Sequence, residues 1–333
     1  MTTGRAASGS RETTLGAVSM RCAHDYPRNL QRYGDFIADA AARGVDLLVF
    51  PEMSLHGYLM GGAAAGSAAM AAQLDYFRAV AEPIPGPSTR FLADHARRHH
   101  MLIQAGLAER AADGDALYNS AVLVGPSGVV GVFRKVHNQF EWPVFAPGDA
   151  LPVFATPVGT IGMFICYDLC FPEVLRAFAL QGAVIATLTT AWPMNGDDPA
   201  HDYFGHAFDL LSRANALTNQ IWMVCANQVH RPPTPGCPDY FGHARIIAPS
   251  GEIVVQIGHA EGLVTASVDV RAGIEQARSA EFFGLNLLQD RRPALYGILL
   301  DQEIRGRSED VPLPPRGEHA QTGSGGSAAA PTA

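Results

Sequence analysis

A chain of 333 residues with 47% hydrophobic and 17% charged residues can bury a large core, and one large domain is expected rather than two small ones. A formal net charge of −8 with no basic run argues against nucleic acid or an anionic membrane as partner, and five cysteines at irregular spacing argue against a disulfide framework. No apolar run approaches a membrane span and the start MTTGRAASGSRETT lacks the apolar core of a signal peptide, so a cytoplasmic protein is expected.

Residues 1–13 read as a disordered polar arm and residues 307–333 as a disordered tail rich in Gly, Ser, Ala and Pro, on either side of a domain over 14–306. Within it Leu15 to Met20 is a strand, and Asn29 to Arg43 is a helix with Leu30, Tyr33, Ile37 and Ala41 at helical spacing. Asp46 to Phe50 is a buried strand ended by Pro51. Gln73 to Ala81 and Thr89 to His100 read as helices around the Pro85-Gly86-Pro87 turn, and Met101 to Ala108 as a strand. Leu117 to Val124 and Val129 to Arg134 form a hairpin closed at Gly125 to Gly128, and a loop runs from Lys135 to Pro152. Thr160 to Ile165 is an uncharged strand, and Pro172-Glu173 opens a helix. The strand Ala183 to Thr189, a helix near His206 to Thr218 and the strand Ile221 to Ala226 follow. A second hairpin, Ala244 to Ile247 with Ile253 to Gln256, and a last strand, Leu263 to Val268, complete the pattern. Crossovers mixed with hairpins predict a mixed sheet covered by helices, a layered α/β architecture.

The strand ending at Ile165 runs straight into Cys166, which is expected on the turn before the helix at Pro172. A nucleophile there is held out of the sheet, with the following backbone N–H groups and a helix N-terminus facing any oxyanion. The same N-terminus is expected to lower the thiol pKa. A lone cysteine after a strand is also compatible with a small buried hydrophobe. Glu52 and Lys135 each stand just past a strand, and layered α/β folds gather reactive groups at strand ends. Spacing alone leaves open a helix-terminal charge for Glu52 and a solvated cation for Lys135. Cys166 and Cys170 are four apart with no second pair or His cluster beside them, so no metal is expected.

Four strings occur in order: Phe50-Pro51-Glu52-Met53 with Gly57-Tyr58, Tyr118-Asn119-Ser120-Ala121-Val122, Arg134-Lys135-Val136-His137, and Ile165-Cys166-Tyr167-Asp168 with Phe171-Pro172-Glu173. With them the chain from about Thr14 to Tyr296 resembles the nitrilase superfamily of carbon–nitrogen hydrolases. The resemblance implies an αββα sandwich, pairing its helical face into a homodimer, and a catalytic triad of Glu52, Lys135 and Cys166. It implies that Glu141, ahead of Phe145-Ala146-Pro147-Gly148, positions the substrate. The Cys-Tyr-Asp surround is similar to amidases and carbamoyl-amine hydrolases, whereas nitrilases more often carry Cys-Trp-Glu. On this resemblance Glu52 is the base, and Lys135 with the backbone N–H of Tyr167 holds the oxyanion. A thioester forms on Cys166, and no cofactor or metal takes part. The expected partner is a small-molecule amide or carbamoyl substrate. Nitrile hydrolysis, acyl transfer from the same thioester and an inactive binding relative are the alternatives.

Departures from the family pattern bear on substrate. Leu169 and Cys170 stand where relatives carry an arginine that clamps a carboxylate. Asn215-Ala216-Leu217-Thr218-Asn219 replaces Arg-Ala-x-Glu-Asn, which predicts a lost ion pair or its replacement through Arg213. In the loop from Ala191 to Asp198, Trp192 is expected to wall the pocket, and Asp197, Asp198 and Asp202 are either a solvated acidic loop or a receptor for a basic group. His201 and His206 read as helix-surface or capping residues, and Asp290 to Tyr296 as a segment packing on a partner subunit.

Overall fold

The computed structural model describes residues 12–58, 67–138, 141, 144–196, 198–233, 237–279 and 284–300. In chain order these give β1 (Thr13–Met20), α1 (Tyr26–Ala42), β2 (Leu47–Val49), α2 (Ala68–Val80), α3 (Pro87–His99), β3 (Leu102–Arg110), β4 (Leu117–Gly125) and β5 (Gly128–Arg134). They continue with β6 (Val153–Thr156), β7 (Gly159–Ile165), α4 (Pro172–Leu180), β8 (Ile185–Thr190), α5 (Tyr203–Asn219), β9 (Trp222–Gln228), β10 (Arg245–Ile247), β11 (Ile253–Gln256), β12 (Gly262–Val268) and α6 (Val270–Arg278).

Alternation along the strands builds the layers. Leu15, Ala17, Leu47, Val49, Ala121, Leu123 and Phe133 share a core with residues of β7, β8 and β9, while their neighbours Val18, Met20, Leu48, Phe50, Val122 and Val124 pack on Tyr33, Ile37 and Ala40 of α1 and Leu92, Ala93 and Ala96 of α3. Helices α4 and α5 cover the far side through Leu175, Phe178, Phe208 and Ala216. The result is the αββα sandwich. Across its middle the Thr187 hydroxyl of β8 donates to the Gln104 amide oxygen of β3.

The strands follow one path, β5-β4-β3-β2-β1-β9-β8-β7-β6, with β12 antiparallel on β1 and β10 antiparallel on β9. β1 pairs with β2 from Leu15 to Ala17; where β2 stops, β9 takes over, through Ser19↔Asn227 and Met20↔Gln228. Among the described residues the two halves of the sheet therefore pair at the carboxyl ends of β1 and β9. β2, β7, β8 and β9 are parallel to this pair or to one another, so their ends and the turns after them converge there.

Four local features differ from the sequence expectation. α2 starts at Ala68, where the Ser67 side chain accepts the Met70 N–H, because an alanine-rich first turn carries no apolar period. β6, four residues beside β7, and α6 have no counterpart in the sequence reading. In α6 Gly273 interrupts the helical pattern because a Cβ there would meet the Trp222 ring at 2.4 Å. Between β7 and α4 the chain inserts a five-residue 3-10 turn, Cys166–Cys170.

Residues Asp290–Leu300 belong to a second unit. In it two short 3-10 turns, Pro293–Leu295 and Gly297–Leu300, follow each other, and the Arg291 guanidinium lies 5.6 Å from the Tyr296 ring centre. The expected arm and tail fall almost wholly on residues 1–11 and 301–333, outside the described residues. Among the described residues no helix is long and apolar enough to cross a membrane.

Next to the convergence point, His56 Nδ1 accepts the Ala108 N–H (3.1 Å), and its Nε2 lies 3.5 Å from Glu82. Burial pushes the imidazole pKa down to about 4. A group whose charged form is excluded only in the folded state gives stability that is complete above its unfolded pKa of about 6.5 and is lost as pH falls toward 4. Between pH 7 and pH 5 this residue is expected to cost about 2 kcal/mol. His56→Gln keeps an acceptor for Ala108 and should flatten that pH dependence in urea unfolding; an unchanged slope would refute the assignment.

Candidate active site

Glu52 lies two residues beyond Phe50, on a turn that reverses tightly against β3. A Cβ on Gly106 would come within 2.5 Å of the Pro51 oxygen and 2.8 Å of Glu52 Cα, so only glycine lets the turn lie this close. Gln228 Nε2 donates to the Glu52 carbonyl (2.8 Å), which ties the turn to the end of β9. The side chain is fully buried. Its Oε1 accepts from Lys135 Nζ (2.8 Å) and Asn119 Nδ2 (2.7 Å), and its Oε2 accepts the Ala191 N–H beyond β8 (2.8 Å).

Lys135 follows β5, its N–H donating to the Asn119 carbonyl of β4. One residue earlier, Arg134 fixes the strand through Glu109, which also accepts the Ser120 hydroxyl (2.6 Å). Lys135 is 2% exposed, and its Nζ bridges Glu52 Oε1 and Glu141 Oε1, each at 2.8 Å. Glu141 Oε1 accepts in addition from Asn119 Nδ2 (2.7 Å) and the Tyr58 hydroxyl (3.1 Å). One ammonium and one amide thus hold two buried carboxylates together.

Cys166 opens the 3-10 turn with a left-handed φ of 48° and 8% exposure, and its thiol feels the charges of Glu52 and Lys135. Asp168 shapes this turn. It is fully buried, and its two oxygens accept the Ile165 N–H (3.1 Å), the His137 N–H (3.0 Å) and His137 Nδ1 (2.7 Å), tying the loop after Lys135 to the turn at Cys166. His137 stacks on Phe171 at 3.6 Å between centres.

Burial disfavours the charge on Lys135, but Glu141 and Glu52, joined by Cys166, outweigh it and hold its pKa well above the ordinary lysine value. Burial raises the Glu141 pKa, with Glu52 adding to it and Lys135 opposing. For Cys166 burial comes first and Glu52 second, and Lys135, Thr190 and the Ala191 amide do not offset them; its pKa stands well above that of a free thiol. The lowered thiol pKa expected from the helix N-terminus is therefore corrected. The helix that starts at Pro172 is displaced by the 3-10 turn, and desolvation dominates.

Around this cluster Tyr58 presents its ring 5.9 Å from Lys135 Nζ and edge-on to Tyr240, 6.4 Å away. Trp192 is buried: its N–H donates to Asn227 Oδ1 (2.8 Å), and its indole N–H to the Phe204 carbonyl (2.6 Å). Tyr167 is half-exposed and turns its ring edge to Phe171, 5.2 Å away. Leu169 is fully buried in the core, so of the pair expected to replace an arginine clamp only Cys170 remains near the surface. Asn215 Nδ2 donates to the Leu169 carbonyl (3.1 Å), while Arg213 pairs with Asp209 (3.5 Å) and the Gly251 carbonyl (3.1 Å). Asp202 caps α5 and accepts the Asn195 N–H (2.7 Å), and Asp198 pairs with His201 in solvent, so neither is aimed at a substrate. Asp197 lies outside the described residues.

The family model described as carbon-nitrogen hydrolase matches residues 14–278. The chain belongs to that family. A probable nitrilase of Schizosaccharomyces pombe is 30% identical over 282 residues, covering 83% of this chain and 94% of its own. The omega-amidase NIT2 of Danio rerio is 28% identical over 304 residues, covering 87% of this chain and 98% of its own. The solved structure of Saccharomyces cerevisiae Nit3, a member of the nitrilase superfamily, superposes with a TM-score of 0.69 at 25% identity, covering 82% of this chain and 95% of that one. The protein is thus a hydrolase of carbon–nitrogen bonds.

Three residues of this hydrolase's site carry no assigned role in the sequence reading. Asn119 and Asp168 lie in strings that point to the family, and a buried polar residue beside a candidate nucleophile is the signal available for them. Tyr240, fully buried next to Tyr58, offers none, because the bridge Pro193↔Tyr240 that places it spans more than forty residues of chain.

Proposed function

We propose that this carbon-nitrogen hydrolase acts on a small linear amide or N-carbamoyl amine through a thioester on Cys166. The observation that carries the reading is the Lys135 ammonium held between Glu52 and Glu141 beside the buried Cys166 thiol. At rest the thiol keeps its proton. When substrate enters, Glu52 accepts that proton as Sγ attacks the carbonyl carbon, and Lys135 with the Tyr167 N–H stabilises the oxyanion. The C–N bond then breaks, the proton passes from Glu52 to the leaving nitrogen, and ammonia or amine departs. Water gives one proton to Glu52 and its oxygen to the thioester carbon; the C–S bond breaks, the sulfur regains the proton and the acid leaves. Glu141 positions the substrate and holds Lys135, and Trp192 bounds the pocket. The omega-amidase name of the Danio rerio relative supports an amide substrate.

Cys170 in place of an arginine, and two carboxylates against one lysine, favour a neutral or basic substrate end over a carboxylate. Measured kcat/KM is expected to rank a linear amide or N-carbamoyl amine first, N-carbamoyl α-amino acids second and nitriles last. A tenfold or larger preference for either of the latter two would overturn the ranking, and turnover that needs an added amine acceptor would make the reaction acyl transfer.

We infer further that two copies pair through the outer face of α5. Tyr203, Leu210 and Leu217 recur there every seventh residue and are all exposed, and Leu180 at the end of α4 is exposed as well. Leu210→Glu is expected to shift the chain toward monomer in sedimentation; an unchanged mass would exclude this face.

A further inference from the structure

We propose that His230, Asp239 and His259 form a binding site for one divalent transition-metal ion of the zinc, cobalt or nickel class, separate from the Cys166 centre and independent of its chemistry. His230 follows β9, Asp239 lies in the segment that returns against it through Val229↔Phe241, and His259 lies between β11 and β12. One ligand atom from each residue lies within 4.8 Å of those of the other two. His230 Nδ1 is 3.0 Å from His259 Nε2, which is 3.9 Å from Asp239 Oδ1. Bonds of about 2.0–2.1 Å at tetrahedral angles set two zinc ligands about 3.3 Å apart, between those two separations. Side-chain rotation that draws Asp239 in toward the two imidazoles closes the site.

Two features distinguish this cluster from a plain hydrogen-bonded one. His259 Nδ1 lies 3.1 Å from the Phe241 carbonyl oxygen, which can only accept, so the proton is on Nδ1 and Nε2 turns a lone pair toward His230 and Asp239. Asp239 Oδ1 is buried without a hydrogen-bond partner among the described residues. An orphan carboxylate oxygen and an oriented imidazole lone pair thus converge beside a second imidazole. Without an ion, the His230 Nδ1–H donates to that lone pair; on binding, the proton moves to His230 Nε2 and Nδ1 becomes the third ligand. Two imidazoles and a carboxylate select zinc, cobalt or nickel over magnesium or calcium, and leave the fourth position to water. All three residues are half-buried, so an ion can reach them. The site fastens three segments at once, and Tyr240, next to Asp239, is the buried ring that faces Tyr58.

The test is a titration of the full-length chain with Co2+. One equivalent is expected to bind with visible d–d bands and no thiolate charge-transfer band in the near ultraviolet. At a hundredfold excess of Zn2+ over Kd the thermal midpoint should rise by about 5 °C. His230→Gln and His259→Gln should each weaken binding by about a hundredfold or more, and Asp239→Asn by about tenfold. All three are half-buried, so their urea unfolding without metal should stay close to that of the parent. No binding by the parent, unchanged binding by the two histidine variants, or a thiolate band would each overturn the site.

Discussion

Cys166→Ala is expected to abolish hydrolysis while costing the fold no more than about 1 kcal/mol, because one small sulfur leaves a turn whose shape is set elsewhere. Asp168, through the Ile165 and His137 amides, fixes the turn, and alanine meets the same left-handed φ of 48° that cysteine does. Mass spectrometry of the parent with a slow substrate should place an acyl adduct on the peptide at Cys166. The state of the thiol gives this prediction a pH dependence. Burial and Glu52 hold its pKa well above 9, so the reactive thiolate is scarce at neutral pH without substrate. Alkylation of Cys166 by a small haloacetamide should therefore rise about tenfold per pH unit from pH 7 to 9, without a plateau. A plateau by pH 7 would mean a thiolate paired with Lys135 at rest, and an adduct confined to Cys170, or an active Cys166→Ala, would remove Cys166 from the chemistry.

How far the sequence can be read follows from what it encodes locally. The uncharged runs at Leu15, Leu47, Thr160, Ala183 and Ile221 announce strands because both faces are covered, and β1, β2, β7, β8 and β9 lie where those runs predict. β6 is hidden because its four residues are mostly half-buried and show no alternation, and α6 because a glycine chosen for Trp222 breaks its period. Glu52, Lys135, Glu141 and Cys166 are legible from the strings around them, and the fold brings the first three into hydrogen-bond contact. What no string encodes is register and burial. Asn119 reaches both carboxylates because β4 pairs it with Ala108, and Tyr240 arrives by isolated bridges between loops. The sign of the thiol shift escapes the sequence for the same reason: a helix N-terminus is visible in Pro172-Glu173, whereas the desolvation that outweighs it is a property of the packed core. His230, Asp239 and His259, nine and twenty residues apart, follow no ligand spacing and meet only in the fold.

Lys135→Ala tests the centre most severely, because the residue has a structural load as well as the catalytic one proposed. Removing the ammonium leaves Glu52 and Glu141 buried face to face, sharing the Asn119 amide between them. An uncompensated buried charge of this kind costs about 3–5 kcal/mol, so the variant should unfold well below the parent in urea. Its kcat should fall by about a hundredfold or more through the lost oxyanion contact. The two effects separate in Lys135→Met with Glu141→Gln, which deletes one charge of each sign at similar volume. The side-chain amide that Glu141→Gln introduces still offers Asn119 an acceptor oxygen, and Glu52 keeps the Asn119 and Ala191 donors, so stability should return to within about 2 kcal/mol of the parent. Activity should not return, since nothing in that pair replaces a cation at the oxyanion. A double variant as unstable as the single one would show that the carboxylate pair is not the source of the loss. A double variant restored in kcat to within tenfold of the parent would show that Lys135 serves the fold alone and that the oxyanion is held by backbone N–H groups.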